Sequence, residues 1–196
     1  MVAIGDDRRG DVPFYVAHAR EAHGAVLVAA CGTGRVLLPV AKAGADADGF
    51  DEDPRAVAAT HAALAERGLV ADVWVATLPA LRCRRRYAGL LVPGRALDRL
   101  ASEAELALAL VACRQALAPG AWIVGDIAGP TGPPSSNPSG ELRDGASACR
   151  WPAAELVDRL RAAGFVTIEI WGDFHELPAG PSSRDTVWRA VVGPCT

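Results

Sequence analysis

"VLVAACGTGRVLLPV", running from Val26 to Val40, decides the fold. A short apolar run meets two closely spaced glycines, Gly32 and Gly34, and a second apolar run follows. The first run reads as a buried strand, the glycines as a loop and the second run as the start of a helix. In open α/β sheets, ligands bind beyond the carboxyl ends of the strands, where the strand order reverses. A loop of glycines there lets backbone approach the ligand closely. A dinucleotide-binding loop needs a third glycine three residues after Gly34, and Leu37 stands at that position, so the loop does not match that pattern.

Working outward, Asp11 caps a helix through about Ala22, with Pro13 in its first turn. Ala25–Ala29 forms the first strand, and Gly34–Ala43 a helix bent by Pro39. Asp46–Phe50 is the second strand. Asp53-Pro54 opens a helix that runs to Arg67 and stops at Gly68. Ala71–Ala76 is the third strand. Tyr87–Val92 is the fourth, an unbroken apolar run typical of a strand covered on both faces. Ser102 and Glu105 form a capping box for a helix through Leu117. Ala121–Asp126, the helix Pro152–Ala163, Phe165–Ile170 and Val187–Val192 complete the chain. Strands alternating with helices predict an open, mostly parallel sheet with helices on both faces. The last two strands are joined without a helix, so the seventh is predicted antiparallel to the sixth. The stretch Gly129–Gly145 is rich in Pro, Gly and Ser and reads as a flexible loop.

Composition narrows the functions. At 196 residues and 51% hydrophobic, the chain is predicted to be one globular domain. A net charge of -3 gives no footing for nucleic acid or an anionic membrane as partner. No stretch looks like a signal peptide, and no apolar run reaches ~18 residues, so the expected location is cytoplasmic. Five widely spaced cysteines, Cys31, Cys83, Cys113, Cys149 and Cys195, suit neither a disulfide framework nor zinc. No metal is expected.

The second strand ends in "GFD", where Asp51 is placed to accept hydrogen bonds from ribose hydroxyls. Together with "ACGTG", this combination resembles the class I S-adenosylmethionine-dependent methyltransferases, whose first motif reads like V-L-E-L-G-C-G-T-G-R. The resemblance covers nearly the whole chain. "DVPFYVAHAREA" is similar to the family's leading helix, and "LVPGRALDRL" and "RQALAPGAWIVGDI" to its fourth and fifth strand regions. "WPAAELVDRLRAAGFVTIEIWGDF" is similar to its closing helix and sixth strand. The resemblance implies a Rossmann-like sheet of seven strands in the order 3-2-1-4-5-7-6. It divides the domain into a leading helix (1–24), a nucleotide-binding half (25–126), a loop in place of a substrate cap (129–150) and a closing helix with two strands (151–196). Cys31, Gly32, Thr33, Gly34, Asp51 and Thr77 become the candidate cofactor contacts.

Four departures from the family pattern share one direction. The acidic residue of the first strand falls on Val28, and the first loop glycine on Ala30. The acidic residue after the third strand falls near Ala76 or Thr77, and the aspartate that opens the fourth falls on Ala88. S-adenosylmethionine carries a sulfonium, an ammonium and a carboxylate, and a cation in a partly dry pocket needs paired charge. Losing two charge-assisted hydrogen bonds of ~1.5–3 kcal/mol each weakens binding about a hundredfold or more. Ala30 is tolerated if its φ is negative.

The remaining polar residues have competing readings. Asp126 ends the fifth strand, as a substrate contact or as a solvated strand end. Arg95 and Asp98 are an anion clamp or, the favoured reading, a surface salt bridge on a short helix. His175, between Asp173 and Glu176, has the chemistry of a general base, but "GDF" suggests an ordinary loop. "RCRRRY", from Arg82 to Tyr87, reads as a solvated loop ahead of a patch for an acidic partner. Trp74 and Trp171 read as core or interface anchors. Three functions are weighed. The first is a non-methylating accessory subunit that stabilises another methyltransferase-fold chain in natural-product tailoring, a role also suggested by a resemblance to methyltransferase-like subunits of aziridine-forming antibiotic pathways. The second is an active small-molecule methyltransferase, and the third is the same fold turned to another reaction through Asp126, Arg95 or His175.

Overall fold

A computed structural model describes residues 10–132, 151–175 and 177–194. The loop predicted over Gly129–Gly145, from residue 133 onward, together with Cys149, Glu176 and Cys195, lies outside the described residues.

The strands are β1 (Val26–Val28), β2 (Ala47–Asp51), β3 (Val73–Val75), β4 (Tyr87–Val92), β5 (Leu117–Ala128), β6 (Phe165–Gly172) and β7 (Asp185–Val192). They form one seven-stranded sheet in the order β3-β2-β1-β4-β5-β7-β6. The pairs β1–β2, β1–β4, β2–β3 and β4–β5 are parallel, while β7 runs antiparallel to both β5 and β6. The order and the single antiparallel strand match the sequence expectation.

The helices are α1 (Val12–Glu21), α2 (Leu37–Lys42), α3 (Pro54–Glu66), α4 (Glu103–Ala116) and α5 (Ala153–Ala162). Successive side chains of a strand point to opposite faces, and β1 divides accordingly. Val26 and Val28 join the apolar cluster that includes α1, α2 and α3, while Leu27 and Ala29 join the cluster under α4 and α5. With Leu90, Leu91 and Val92 all fully buried, β4 is covered on both sides.

Local chemistry sets most helix ends. The Asp53 carboxylate accepts from the Arg55 amide at 2.8 Å, ahead of Pro54. Ser102 accepts from the Glu105 amide at 3.2 Å, and the Glu105 carboxylate reaches back to the amide of Ala101 at 2.8 Å. Gly68 and Gly164 follow their helices with φ of 61° and 92°, a left-handed conformation that suits glycine.

Four expectations are corrected. Asp11 makes no side-chain cap bond. It is fully buried, and its two oxygens accept from Arg35 Nη1 and Nη2 at 2.5 and 2.8 Å. The helix expected from Gly34 begins at Leu37, because positive φ at Gly32 and Gly34 keeps the turn non-helical. β5 starts four residues early and runs two past Asp126, since β4 pairs with Leu117 and β7 pairs out to Ala128. β3 is shorter than predicted.

Candidate functional site

The loop between β1 and α2 is held from both sides. The Gly32 amide donates to Asp51 Oδ2 at 2.8 Å, and the Gly32 carbonyl accepts from the buried Thr60 hydroxyl at 2.8 Å. The Cys31 amide donates to the Phe50 carbonyl at 2.9 Å. A side chain at Gly34 would stand 2.8 Å from Leu38, so the turn into α2 requires a glycine there, whereas Gly32 faces open space. Thr60 was not legible in advance, because a threonine inside an alanine-rich helix carries no motif.

Ala30 has φ of +46°. The condition under which an alanine is harmless there, a negative φ, is therefore not met. The loop keeps the left-handed geometry of a glycine with an alanine in it, which costs an L-residue about 1–2 kcal/mol.

Asp51 lies at the carboxyl end of β2. Its Oδ1 accepts from the Asp53 amide at 3.0 Å, and its Oδ2 is the acceptor for Gly32. A carboxylate has about four acceptor sites, so Asp51 braces the loop and retains capacity for two hydroxyls. Thr33 and Thr77 are exposed, and Thr77 opens a short 3-10 turn at Leu78–Ala80 without a side-chain cap bond. Cys31 is buried against Gly49. Burial, and then the Asp51 charge, push its thiol up to about 12, so it stays protonated and inert near neutral pH. Val28 is fully buried within the apolar cluster, and no carboxylate stands in its place.

The carboxyl ends of β4 and β5 carry a second group of polar residues, which the sequence reading placed differently. Asp126 is fully buried rather than solvated. It accepts from Tyr15 Oη at 2.6 Å and from the amides of Gly94 and Arg95 at 2.8 and 3.0 Å. Arg95 and Asp98 do not form a surface salt bridge, for both are buried. Arg95 donates through Nε to Asp185 Oδ1 at 2.7 Å and through Nη2 to the Arg184 carbonyl at 3.0 Å. Asp98 Oδ2 accepts from the Ala128 amide at 2.7 Å. Burial forces each of these groups to take a partner, so they fasten α1, the loop after β4 and β7 together. His175 is exposed in a 3-10 turn after β6, and the neighbouring Asp173 takes the amides of Arg184 and Asp185 at 3.0 Å each. The glycine loop, Asp51 and the loop after β4 thus meet at one crevice, while His175 follows the edge strand β6.

Arg99 belongs to this crevice and was missed. It ends the 3-10 turn Ala96–Arg99 after β4. Its side chain is partly buried, and Nη1 donates to the Gly94 carbonyl at 3.2 Å. Burial draws its pKa below the ordinary arginine value, while the carboxylates of Asp51, Glu52, Asp126 and Asp98 push it back up. The second arginine of "GRALDRL" was its only trace in the sequence.

"RCRRRY" lies at the opposite, amino edge of the sheet and is anchored rather than freely solvated. Arg85 holds Asp46 with two bonds of 2.8 Å and Asp48 with one of 2.9 Å, and Tyr87 Oη also donates to Asp48, at 2.8 Å. Arg86 caps the end of α4 through the Gln115 and Leu117 carbonyls. Trp74 and Trp171 are partly buried against the two apolar clusters, and Trp74 stacks on Phe50. Among the described residues, no group of three or more His, Cys, Asp or Glu is arranged to hold a metal ion, and no helix is long and apolar enough to cross a membrane.

No family model and no curated relative matches the chain. Solved structures do. The methyltransferase CcbJ from Streptomyces caelestis aligns with a TM-score of 0.76 at 19% identity, over 93% of this chain and 90% of that one. An S-adenosylmethionine-dependent methyltransferase from Clostridium acetobutylicum aligns with a TM-score of 0.76 at 13% identity, over 96% and 93%. The fold is that of the class I methyltransferases. The glycopeptide N-methyltransferase MtfA, in complex with sinefungin, aligns at 0.71 and 19% identity over 94% and 93%. MtfA is also known with S-adenosyl-L-methionine and with S-adenosyl-L-homocysteine. The crevice of this methyltransferase-fold chain lies beyond the carboxyl ends of β1 and β4, where the strand order reverses, the place at which open α/β sheets bind ligands.

Proposed function

We propose that this chain is a methyltransferase-fold accessory subunit that does not itself transfer methyl groups, and that it stabilises a catalytic chain of the same fold in natural-product tailoring. The observation that carries the reading is the crevice's charge pattern. Asp51, which can hold a ribose, is retained. The β1 position that would offer an ammonium a carboxylate is Val28, sealed in the core, and the loop after β4 brings the cation of Arg99 to the same end of the sheet. The antibiotic-pathway connection rests on likeness to the MtfA glycopeptide N-methyltransferase. A partner is supported by the outer face of α4, where Ala104, Ala107, Leu108, Val111 and Gln115 are exposed and none is charged. Leu108 and Val111 expose 58% and 43% of their surface there.

A second reading, an active small-molecule methyltransferase with S-adenosylmethionine as cofactor, has one observation in its favour. Asp51 keeps two acceptor sites, and Gly32 opens onto free space. Methyl transfer needs chiefly the alignment of nucleophile and methyl group, so a missing base does not count against it. Calorimetry with S-adenosylmethionine separates the two, alongside the mass of the purified chain with and without a candidate catalytic paralogue. Weak or no cofactor binding together with a defined hetero-oligomer supports the accessory role. Micromolar cofactor affinity in a stable monomer overturns it.

A further inference from the structure

The helix α4 is apolar on two sides. Leu106, Ala109, Leu110 and Cys113 already sit in the core, yet the opposite side carries Ala104, Ala107, Leu108, Val111 and Gln115, all exposed. Spacings of three and four residues align these five in one stripe, which runs most of the length of the 14-residue helix, about 21 Å. The exposed side of the neighbouring α5 carries Asp158 and Arg161 instead. The charges of α4 stand at its two ends, with opposite sign. Glu103 and Glu105 are in its first turn and Arg114 in its last. Arg86 joins Arg114 there, donating to the Gln115 and Leu117 carbonyls at 3.1 and 3.0 Å. Glu103 is held by Arg159 of α5. Among the described residues, neither Arg86 nor Arg114 bonds to a carboxylate.

We propose that this stripe is the contact surface of a two-fold homodimer, in which α4 packs antiparallel on α4 of a second copy. The charge layout selects both the occupant and its direction. In a two-fold contact, residue i meets j and j meets i. Turned end for end about the middle of the stripe, the second copy seats its Val111 on Leu108 and its Gln115 on Ala104. The acidic first turn of each helix then lies beside the basic last turn of the other. Glu103 and Arg114 are eleven residues apart, about three turns, so both lie on the same flank of α4 and meet across the two-fold. Antiparallel helix dipoles add to the attraction. A parallel pairing would set acid against acid and arginine against arginine. One helix pair with flanking charges falls at the small end of specific interfaces, below about 1,200 Å², so the dimer is a weak one with micromolar Kd. The inference does not need the accessory reading, under which a catalytic chain that uses this face displaces the second copy.

Charge placement at the two ends of the stripe tests the register. Sedimentation equilibrium of the intact chain, from about 1 to 200 μM, gives the dimer Kd. Ala104→Lys sets a cation against the arginine end of the second copy, and Gln115→Glu sets an anion against its acidic end. Each single variant is expected to weaken the dimer about tenfold, equivalent to about 1.4 kcal/mol, because two-fold symmetry repeats the repulsion at both ends. The double variant places Lys against Glu twice and is expected to return to within about threefold of the starting Kd. Residues 104 and 115 are too far apart along one helix to pair within a chain, so recovery requires the antiparallel register. Val111→Glu, at the centre of the stripe, is expected to abolish the dimer. All three positions are exposed in the single chain, so an unchanged Tm confirms that each variant is folded. A chain that stays monomeric at 200 μM overturns the proposal, and so does a dimer that ignores these substitutions or a double variant as weak as the singles. A monomer that associates only with a catalytic paralogue overturns the self-pairing and leaves the accessory reading intact.

Discussion

Replacing Ala30 by glycine should stabilise the protein, against the usual rule that glycine weakens folded structure. The residue sits at φ +46°, where a Cβ costs about 1–2 kcal/mol. Glycine removes that cost. It also gives the unfolded chain more freedom, worth about 0.4–1 kcal/mol in the other direction, and it gives up a methyl that is only partly buried. The net gain is about 0.5 kcal/mol. The control is Ala58→Gly, at an exposed site within α3 with ordinary helical geometry, where the loss is about 1 kcal/mol. Both variants carry the same unfolded-state term, so their difference of ~1.5 kcal/mol isolates the strain at Ala30. For a domain of this size that is ~3–6 °C in Tm. Differential scanning calorimetry of the two variants side by side gives the answer. If Ala30→Gly loses as much as Ala58→Gly, the left-handed strain is absent and the reasoning about the loop fails.

Other outcomes follow from the buried polar groups. Tyr15→Phe leaves Asp126 one donor short inside the protein and should cost about 1.5–3 kcal/mol in chemical denaturation; a loss below about 0.5 kcal/mol would mean that the bond does not fasten α1. Arg95→Met strands Asp185 at the same depth and should cost about 3–5 kcal/mol, with a wild-type midpoint in urea counting against the buried pair. Arg85 holds the Asp46 carboxyl below its ordinary pKa. A carboxyl with a lower folded than unfolded pKa binds fewer protons when folded, so its contribution is present above pH ~4 and fades as pH falls further. The Tm gap between the native chain and Asp46→Asn should therefore shrink from pH 6 to about pH 3; a gap that widens on acidification would reverse the sign and refute the assignment.

The fold was legible because its determinants are local. Glycines 32 and 34, the caps at Asp53 and Ser102, and the unbroken run of β4 each carry a signal within a few residues, and alternation of strands with helices leaves few arrangements of the sheet. The crevice was legible only at Asp51 and the glycine loop, which share that property. Arg95, Asp98 and Asp126 looked like surface residues because their partners, Asp185, Ala128 and Tyr15, are 90, 30 and 111 positions away. Asp11 sits where a cap belongs, yet its carboxylate is claimed by Arg35, 24 residues on. Arg99 had no motif at all, since its setting is assembled from strands that meet only in the folded sheet. The sign of φ at Ala30 is a backbone property that an alanine in the sequence argues against.

The place of β7 in the sheet has a consequence for how the chain is made. This strand comes after β6 in the sequence yet lies between β5 and β6, so synthesis of β6 does not complete the sheet. Until Asp185–Val192 has left the ribosome, β5 presents a bare edge bearing Ile123, Val124 and Ile127, and β6 has no neighbour to pair with. Bare apolar edges recruit other chains, and slow long-range pairing lengthens the time they are open. Expression yield should thus depend on co-translational protection, from a chaperone or a partner present during synthesis, more than on the stability of the finished domain.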